Sequence, residues 1–366
     1  MWGGHALEIH ETTSVDKFFD LRNSWNEVLS RSRDDSAFLT WEHIAVSVKH
    51  LKKNQALKIL YITKGNKIIS IAPLSQSIYT FKDLFSYSVI QTLDYGVATD
   101  YTGLILTENP IESLRLFLTY LQRQNNWDYF YINDIPEESI LMDLLINNGH
   151  ALPKIEITQG EICPYITIPD STENFLKGIK GHFKKNLRRS LRNIEKDHGK
   201  VELKAYCELG SLESTMQIFF DLHQKIWVAR KKPGAFSSQK NRDMFMDRAK
   251  LFAENDWLAL NFLTVNDIPV SASYSLKYKQ RLCNCLNGFE PEYAAYSVGN
   301  LLHMKVIEKC IQNDFKEYDF MKGDEPYKFY WTNKYRRNSN LEFVSNRLTS
   351  KLIRLGIKAR CTLSSL

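Results

Sequence analysis

Apolar positions recur along this chain at two spacings, and the alternation between them lays out its elements. Over residues 15–31, Val15, Phe18, Phe19, Leu21, Trp25, Val28 and Leu29 fall close to helical spacing, with Ser14 placed to cap and Asp16 in the first turn. A second helical stretch covers 41–51. Residues 57–63 read as a strand, Lys64-Gly65-Asn66 as a turn and 67–78 as the return strand. Strands follow near 89–93 and 103–106. A helix over 111–124 stands behind Asn109-Pro110, then a strand over 128–133 and a helix over 137–148 stopped by Asn148-Gly149. The second half opens with a helix over 172–196, whose Phe183, Leu187, Leu191 and Ile194 form one stripe. A strand over 201–206 precedes a long helix capped by Ser211. In it Met216, Phe219, Phe220, His223 and Trp227 share a side, and Lys231-Lys232-Pro233-Gly234 breaks it. A helix over 239–254 leads to strands over 257–265, 270–278 and 282–289. A helix over 300–313 and a strand over 317–321 complete the pattern.

The halves echo one another. Ile62-Thr63-Lys64-Gly65-Asn66 with Ile69-Ser70 matches Leu263-Thr264-Val265-Asn266-Asp267 with Val270-Ser271 at one fixed offset, and the final strands lead to Asp134-Ile135-Pro136 and Asp324-Glu325-Pro326. The expectation is an α/β fold of mixed sheets flanked by helices, built as a tandem duplication. The units are set at 1–158 and 159–345, with a basic amphipathic tail over 346–366. The boundary lies near 152–164, where Pro153, Gly160 and Pro164 cluster. Only the second unit has a small-residue loop, Tyr296-Ser297-Val298-Gly299, with a strong helix behind it, so the working site is expected there and no cofactor site in the first.

Composition changes this picture little. The chain has 366 residues, which accommodates two domains, and 43% hydrophobic with 25% charged residues is ordinary globular usage. The first residues show no secretory leader and no apolar run is long enough to span a bilayer, so a cytoplasmic protein is expected. The six cysteines form no CxxC pair and no zinc spacing; reduced core cysteines, and no metal, are the reading. Charge is more telling. The stretch from Lys180 to Lys200 carries eight basic residues against Glu195 and Asp197, which equals the net charge of +6 of the whole chain. It reads as a solvated helix face, or as a contact for an anionic acceptor or anionic lipid headgroups. Few interleaved aromatics argue against nucleic acid.

Candidate chemistry concentrates between Asn287 and Trp331. A helix whose first turn is opened by Ser297, Val298, Gly299 and Asn300 offers free backbone N–H groups to an anion, the layout for a phosphate-bearing cofactor. The next strand ends in Gly323-Asp324-Glu325-Pro326-Tyr327-Lys328. Asp324 and Glu325 could act as base or hold a cationic acceptor, and Asp324 could equally be a turn-former. Lys328 could neutralise phosphate, pair with these acids or sit solvated. Tyr327 and Trp331 read as core or groove aromatics. Tyr274 could donate to substrate or simply pack. His223 could be a core histidine or a base, and Arg230 could bind an anionic substrate or complement the helix dipole.

These residues resemble the GNAT superfamily of N-acetyltransferases, and within it the cellulose-biosynthesis-type CelD/BcsL acetyltransferases, relatives of the FemABX peptidyltransferases. The resemblance rests on Lys184-Lys185-Asn186-Leu187-Arg188-Arg189, on Phe220-Asp221-Leu222-His223 leading to Trp227, Arg230, Gly234 and Phe236, on Tyr296-Ser297-Val298-Gly299, and on Gly323-Asp324-Glu325-Pro326-Tyr327-Lys328 with Trp331. It implies two GNAT-like units and direct acyl transfer from acetyl-CoA, without a metal, to an amine or hydroxyl of a sugar, polysaccharide precursor or similar small acceptor. It further implies pyrophosphate on Ser297, Val298, Gly299 and Asn300, catalysis by Asp324, Glu325 and Tyr274, and substrate contacts from His223, Trp227, Arg230, Tyr327, Lys328 and Trp331. The FemABX alternative uses aminoacyl-tRNA; a third reading is a non-catalytic lipid- or nucleic-acid-binding module. Only Gly299 remains of the superfamily's glycine-rich loop.

Overall fold

By its contacts the chain divides into two units, residues 1–161 with 337–366 and residues 162–336. The computed structural model describes residues 6–81, 85–93, 96–149, 152, 153, 155–345 and 350.

In the first unit the elements are β1 (Leu7–Thr12), α1 (Val15–Asp20), α2 (Arg22–Arg31), α3 (Trp41–Lys49), β2 (Gln55–Lys64), β3 (Lys67–Phe81), β4 (Phe85–Thr92), β5 (Ile105–Leu106), α4 (Pro110–Arg123), β6 (Tyr129–Pro136) and α5 (Ile140–Asn148). Alternation along the β2–β3 hairpin gives each sheet face its own helices. Leu60, Ile62 and Leu74 pack with Leu114, Phe117 and Leu121 of α4. Ile59 and Ile71 pack with Trp25, Leu29 and Ile44 of α2 and α3. β4 and β6 run parallel, with α4 between them in the chain.

β7 (Glu156–Thr167) leads into the second unit, which holds α6 (Thr172–Gly178), α7 (Gly181–His198), β8 (Val201–Ala205), α8 (Leu212–Ala229), α9 (Gln239–Glu254), β9 (Leu258–Val265), β10 (Ile268–Tyr278), β11 (Arg281–Phe289), α10 (Val298–Gln312) and β12 (Glu317–Asp319). Its strands lie in the order β7-β12-β11-β10-β9-β8. All neighbours are antiparallel except β11 and β12, which are parallel with α10 between them in the chain. Each unit thus has an antiparallel hairpin followed by a strand–helix–strand crossover.

Several expectations need correction. The helix expected over 15–31 breaks at Leu21, whose N–H bonds back to Phe18 and Phe19. The helix expected over 172–196 breaks at Ile179, which is extended (φ −81°, ψ 141°). The units divide between residues 161 and 162, inside the stretch expected at 152–164, but within the strand β7 and not in a loop. A final strand, β13 (Tyr335–Val344), returns the chain to the first unit by pairing with β6, so residues 337–345 leave the unit expected at 159–345. The echo of Asp134 in Asp324 is one of residue type only. Asp134 lies within β6 at φ 52°, whereas Asp324 lies beyond the end of β12. Cys207 is exposed, against the expectation of core cysteines. The tail expected over 346–366 lies outside the described residues, Ser350 apart. Among the described residues no helix is long and apolar enough to cross a membrane.

Candidate active site

The second unit's sheet opens at one place. β12 pairs with β11 over three positions only, from Arg281↔Glu317 to Cys283↔Asp319. Beyond Cys283, β11 continues along β10 to Phe289. The chain after β12 continues instead along β7, with Phe320 N–H on Pro164 O and Gly323 N–H on Ile162 O, both 2.9 Å. The strands therefore separate, and from Asn284 to Phe289 one edge of β11 has no partner strand among the described residues. The cause is local. Asp319 Oδ1 accepts the N–H of Met321 at 2.8 Å, and Met321 turns at φ 60°, which steers the chain away from β11. Arg336 fixes Asp319 in turn, at 2.6 Å, and spans both oxygens of Glu317 at 2.9 and 2.6 Å. The margin of the split carries unspent polarity: Asn284 Nδ2, Asn287 Oδ1 and Ser273 Oγ are buried without a hydrogen-bond partner. Ser273 pairs with Asn287 across the strands, and a β-bulge follows between Tyr274 and Ser275.

Past the end of β11, α10 begins. Its first internal bond is from Leu301 N–H to Ser297 O, 3.1 Å, so the amides of Val298, Gly299 and Asn300 have no partner within the helix. A Cβ on Gly299 would meet only Phe289, at 3.9 Å, so the space before this turn is open. Ser297 stands at the N-cap in the left-handed region (φ 53°), and its hydroxyl makes no capping bond. Val298 is 1% exposed, so it offers its backbone alone.

α8 covers β11 on one face. At Gly288 a Cβ would collide with the backbone of Leu222 and His223. Gly288→Ala is therefore expected to cost about 1–3 kcal/mol of stability, the usual range for overpacking. Thermal unfolding measures it, and a wild-type midpoint would show that α8 is free to lift. His223 is buried and accepts the Trp227 Nε1–H at Nε2, 3.1 Å. Its Nδ1 then carries the proton and has no partner. Burial lowers its pKa to about 4, so at neutral pH the ring is uncharged, and with Nε2 taken by Trp227 it offers an N–H and not a lone pair. Trp227 is half-buried, and exposed Arg230 lies with its guanidinium 5.6 Å from the Trp227 ring.

The acidic turn divides its residues differently from expectation. Asp324 is exposed. Glu325 pairs with Lys328 at 2.9 Å. Lys328 is 3% exposed and donates to the carbonyls of Met321, Lys322 and Gly323 at 3.0, 2.7 and 3.3 Å. It staples the turn and has no donor left for phosphate, which corrects its assignment to substrate. Trp331 is likewise a core residue, stacked on Phe175 and edge-on to Phe183. Tyr327 is half-buried and stacks on His303 at 5.6 Å, and burial raises its phenol pKa. Tyr274 is fully buried against Phe219 and Phe245, and its hydroxyl accepts from the buried Arg248 at 3.1 Å; that is packing, not catalysis. Sequence reading missed His303, Arg336 and the orphaned polar atoms of β10 and β11. His303 bonds the Tyr318 hydroxyl at 2.7 Å and has its pKa lowered to about 3 by burial.

Residues 181–329 match the family model described as an acetyltransferase (GNAT) domain. No curated protein matches the chain. Among solved structures the chain resembles FemX, with a TM-score of 0.65 and 8% identity over 94% of this chain and 99% of that one. It also resembles L-PGS from Bacillus licheniformis (TM-score 0.53, 11% identity, 94% of this chain and 98% of that one). A tandem GNAT protein from the clavulanic acid biosynthesis pathway matches with a TM-score of 0.51 and 9% identity, over 93% of this chain and 99% of that one. These likenesses show the fold. With the family match over residues 181–329, they give a mixed α/β chain whose second unit is similar to a GNAT acetyltransferase domain and whose fold is similar to that of a tandem GNAT protein.

Proposed function

We propose that the second unit transfers an acyl group from acyl-CoA, acetyl-CoA first, to an amine or hydroxyl of a small saccharide-type acceptor, in the manner of the CelD/BcsL acetyltransferases. The observation that carries this reading is the separation of β11 from β12 next to the free first turn of α10. The two features match the two parts of the donor. The pyrophosphate suits the amides of Val298, Gly299 and Asn300, where the helix dipole favours an anion. The amides of the pantetheine arm suit the open edge of β11, as an added strand would.

In the reaction the acceptor's nitrogen or oxygen bonds to the thioester carbonyl carbon, the C–S bond breaks, and CoA leaves as the thiol after taking a proton. The neutral His223 Nδ1–H is the donor assigned to the acceptor side. Asp324, exposed and without a side-chain partner among the described residues, is the carboxylate assigned to orient the acceptor and take its proton through water, since Glu325 is held by Lys328. Trp227, Arg230 and Tyr327 remain candidates for acceptor contacts.

The test is calorimetry with acetyl-CoA on the wild type and on Gly299→Glu. The substitution fills the open space with an anion and should weaken binding about 100-fold, about 2.7 kcal/mol. Equal binding by both proteins would sink the assignment. The full-length likeness to FemX favours a second reading, aminoacyl transfer from charged tRNA. Acylation that needs charged tRNA and ignores acetyl-CoA would select it.

A further inference from the structure

The helix α7 carries a charge arrangement that acyl transfer does not use. Lys180 at its N-cap, Lys184, Arg188, Arg192 and Lys196 recur every four residues, and Lys185 and Arg189 stand beside them. Such spacing lays the five along a ridge about 24 Å long that winds slowly around the helix, and Lys185, Arg188, Arg189, Arg192 and Lys196 gather on its outer face. All seven are exposed except the half-buried Lys184. None has an ion pair or side-chain hydrogen bond among the described residues, whereas neighbouring Lys177 and Lys200 pair with Glu173 and Glu202. Like charges four apart on a helix repel, so the row opposes folding unless counter-charge meets it.

The opposite stripe says how this face can be used. Phe183, Leu187 and Ile194 are buried in the second unit's core. The helix is thus fixed in place and presents cations without an apolar wedge. Residues 184–197 contain no aromatic on which a base could stack. Outside Lys180–Lys200 the charges of the chain sum to zero.

We propose that α7 is a docking face for an anionic membrane surface, with its row of cations on headgroup phosphates. Attachment is electrostatic and reversible, and it brings the acyltransferase domain to acceptors at that surface.

The test uses the full chain and vesicles of phosphatidylcholine with about 30% phosphatidylglycerol, against vesicles of phosphatidylcholine alone. The protein should sediment with the anionic vesicles only, and raising the salt from about 0.1 M to about 1 M should release it. Near an anionic surface each basic residue contributes about 1 kcal/mol, or about fivefold. Arg188→Gln, Arg192→Gln and Lys196→Gln together should then weaken binding on the order of 100-fold. Those side chains have no partner to lose, so circular dichroism and the thermal midpoint should match wild type. The pair Arg188→Lys and Arg192→Lys should retain binding. Three results would overturn the proposal: no sedimentation with anionic vesicles, equal sedimentation with neutral ones, or a triple variant that binds as wild type. Tighter binding of single-stranded RNA through the same three residues would overturn it in favour of a nucleic-acid partner.

Discussion

Arg336→Ala is expected to lower the unfolding free energy of the second unit by about 3–5 kcal/mol, the range for leaving a buried charge without its partner. Arg336 is 7% exposed and Asp319 is fully buried. One guanidinium meets Asp319 and both oxygens of Glu317, and its Cζ lies 4.2 Å from the centre of the Tyr165 ring. Arg281 adds a second cation on Glu317 at 2.8 Å. Removing Arg336 takes from the fully buried Asp319 carboxylate the cation that stands 2.6 Å from it. Domains are stable by only about 5–15 kcal/mol, so the loss is a large fraction of the total. Urea unfolding measures it directly. Arg336→Lys restores charge without the planar fork and should recover part of the loss. A cost below about 1 kcal/mol would mean that the cluster is solvated and its ion pairs weak.

This cluster sits where β11 and β12 last touch, which ties stability to the site. The same Asp319 that holds Arg336 turns the chain at Met321 and opens the split. A variant that loosens the cluster but still folds should also bind acetyl-CoA more weakly, although Arg336 is assigned no contact with the donor.

Much of this fold was legible because it is local. Lys64-Gly65-Asn66 and Asn266-Asp267 announce their hairpins, and the apolar stripes of α7 and α8 follow from period alone. The free first turn of α10 was readable for the same reason. What could not be read depends on partners distant in sequence. The split exists because β12 leaves β11 after Cys283, and nothing within either strand states that. Lys328 lies in a polar turn, where a lysine is ordinarily solvated; three carbonyls of the preceding loop bury it. Tyr274, on β10, gave no sign of Arg248, which comes from the helix α9. β7 went unseen because Gly160 and Pro164 punctuate a charged, alternating stretch, and β13 because its apolar positions are few.

Acid should destabilise the second unit through two histidines. His223 and His303 have ordinary values near 6.5, lowered by burial to about 4 and about 3. The folded unit keeps both neutral, while the unfolded chain protonates them below about pH 6.5. Unfolding therefore takes up protons there, and stability falls as pH falls. The slope approaches about 1.4 kcal/mol per pH unit for each histidine, or about 2.7 together, between about pH 6 and pH 4.5. The first unit behaves oppositely at Asp34, whose carboxyl burial raises to about 6. Its folded state holds the proton more tightly, so that contribution grows as pH falls from about 6 towards 3.8 and is lost as pH rises through 6. Unfolding followed by tryptophan and tyrosine emission across this window should thus show the second unit failing first in acid. His303→Gln keeps hydrogen-bonding groups near the Tyr318 hydroxyl but cannot titrate. It should halve the acid slope, and adding His223→Gln should flatten it. An unchanged slope in the double variant would show that neither histidine is neutral in the folded unit, and His223 would lose its role as a neutral donor.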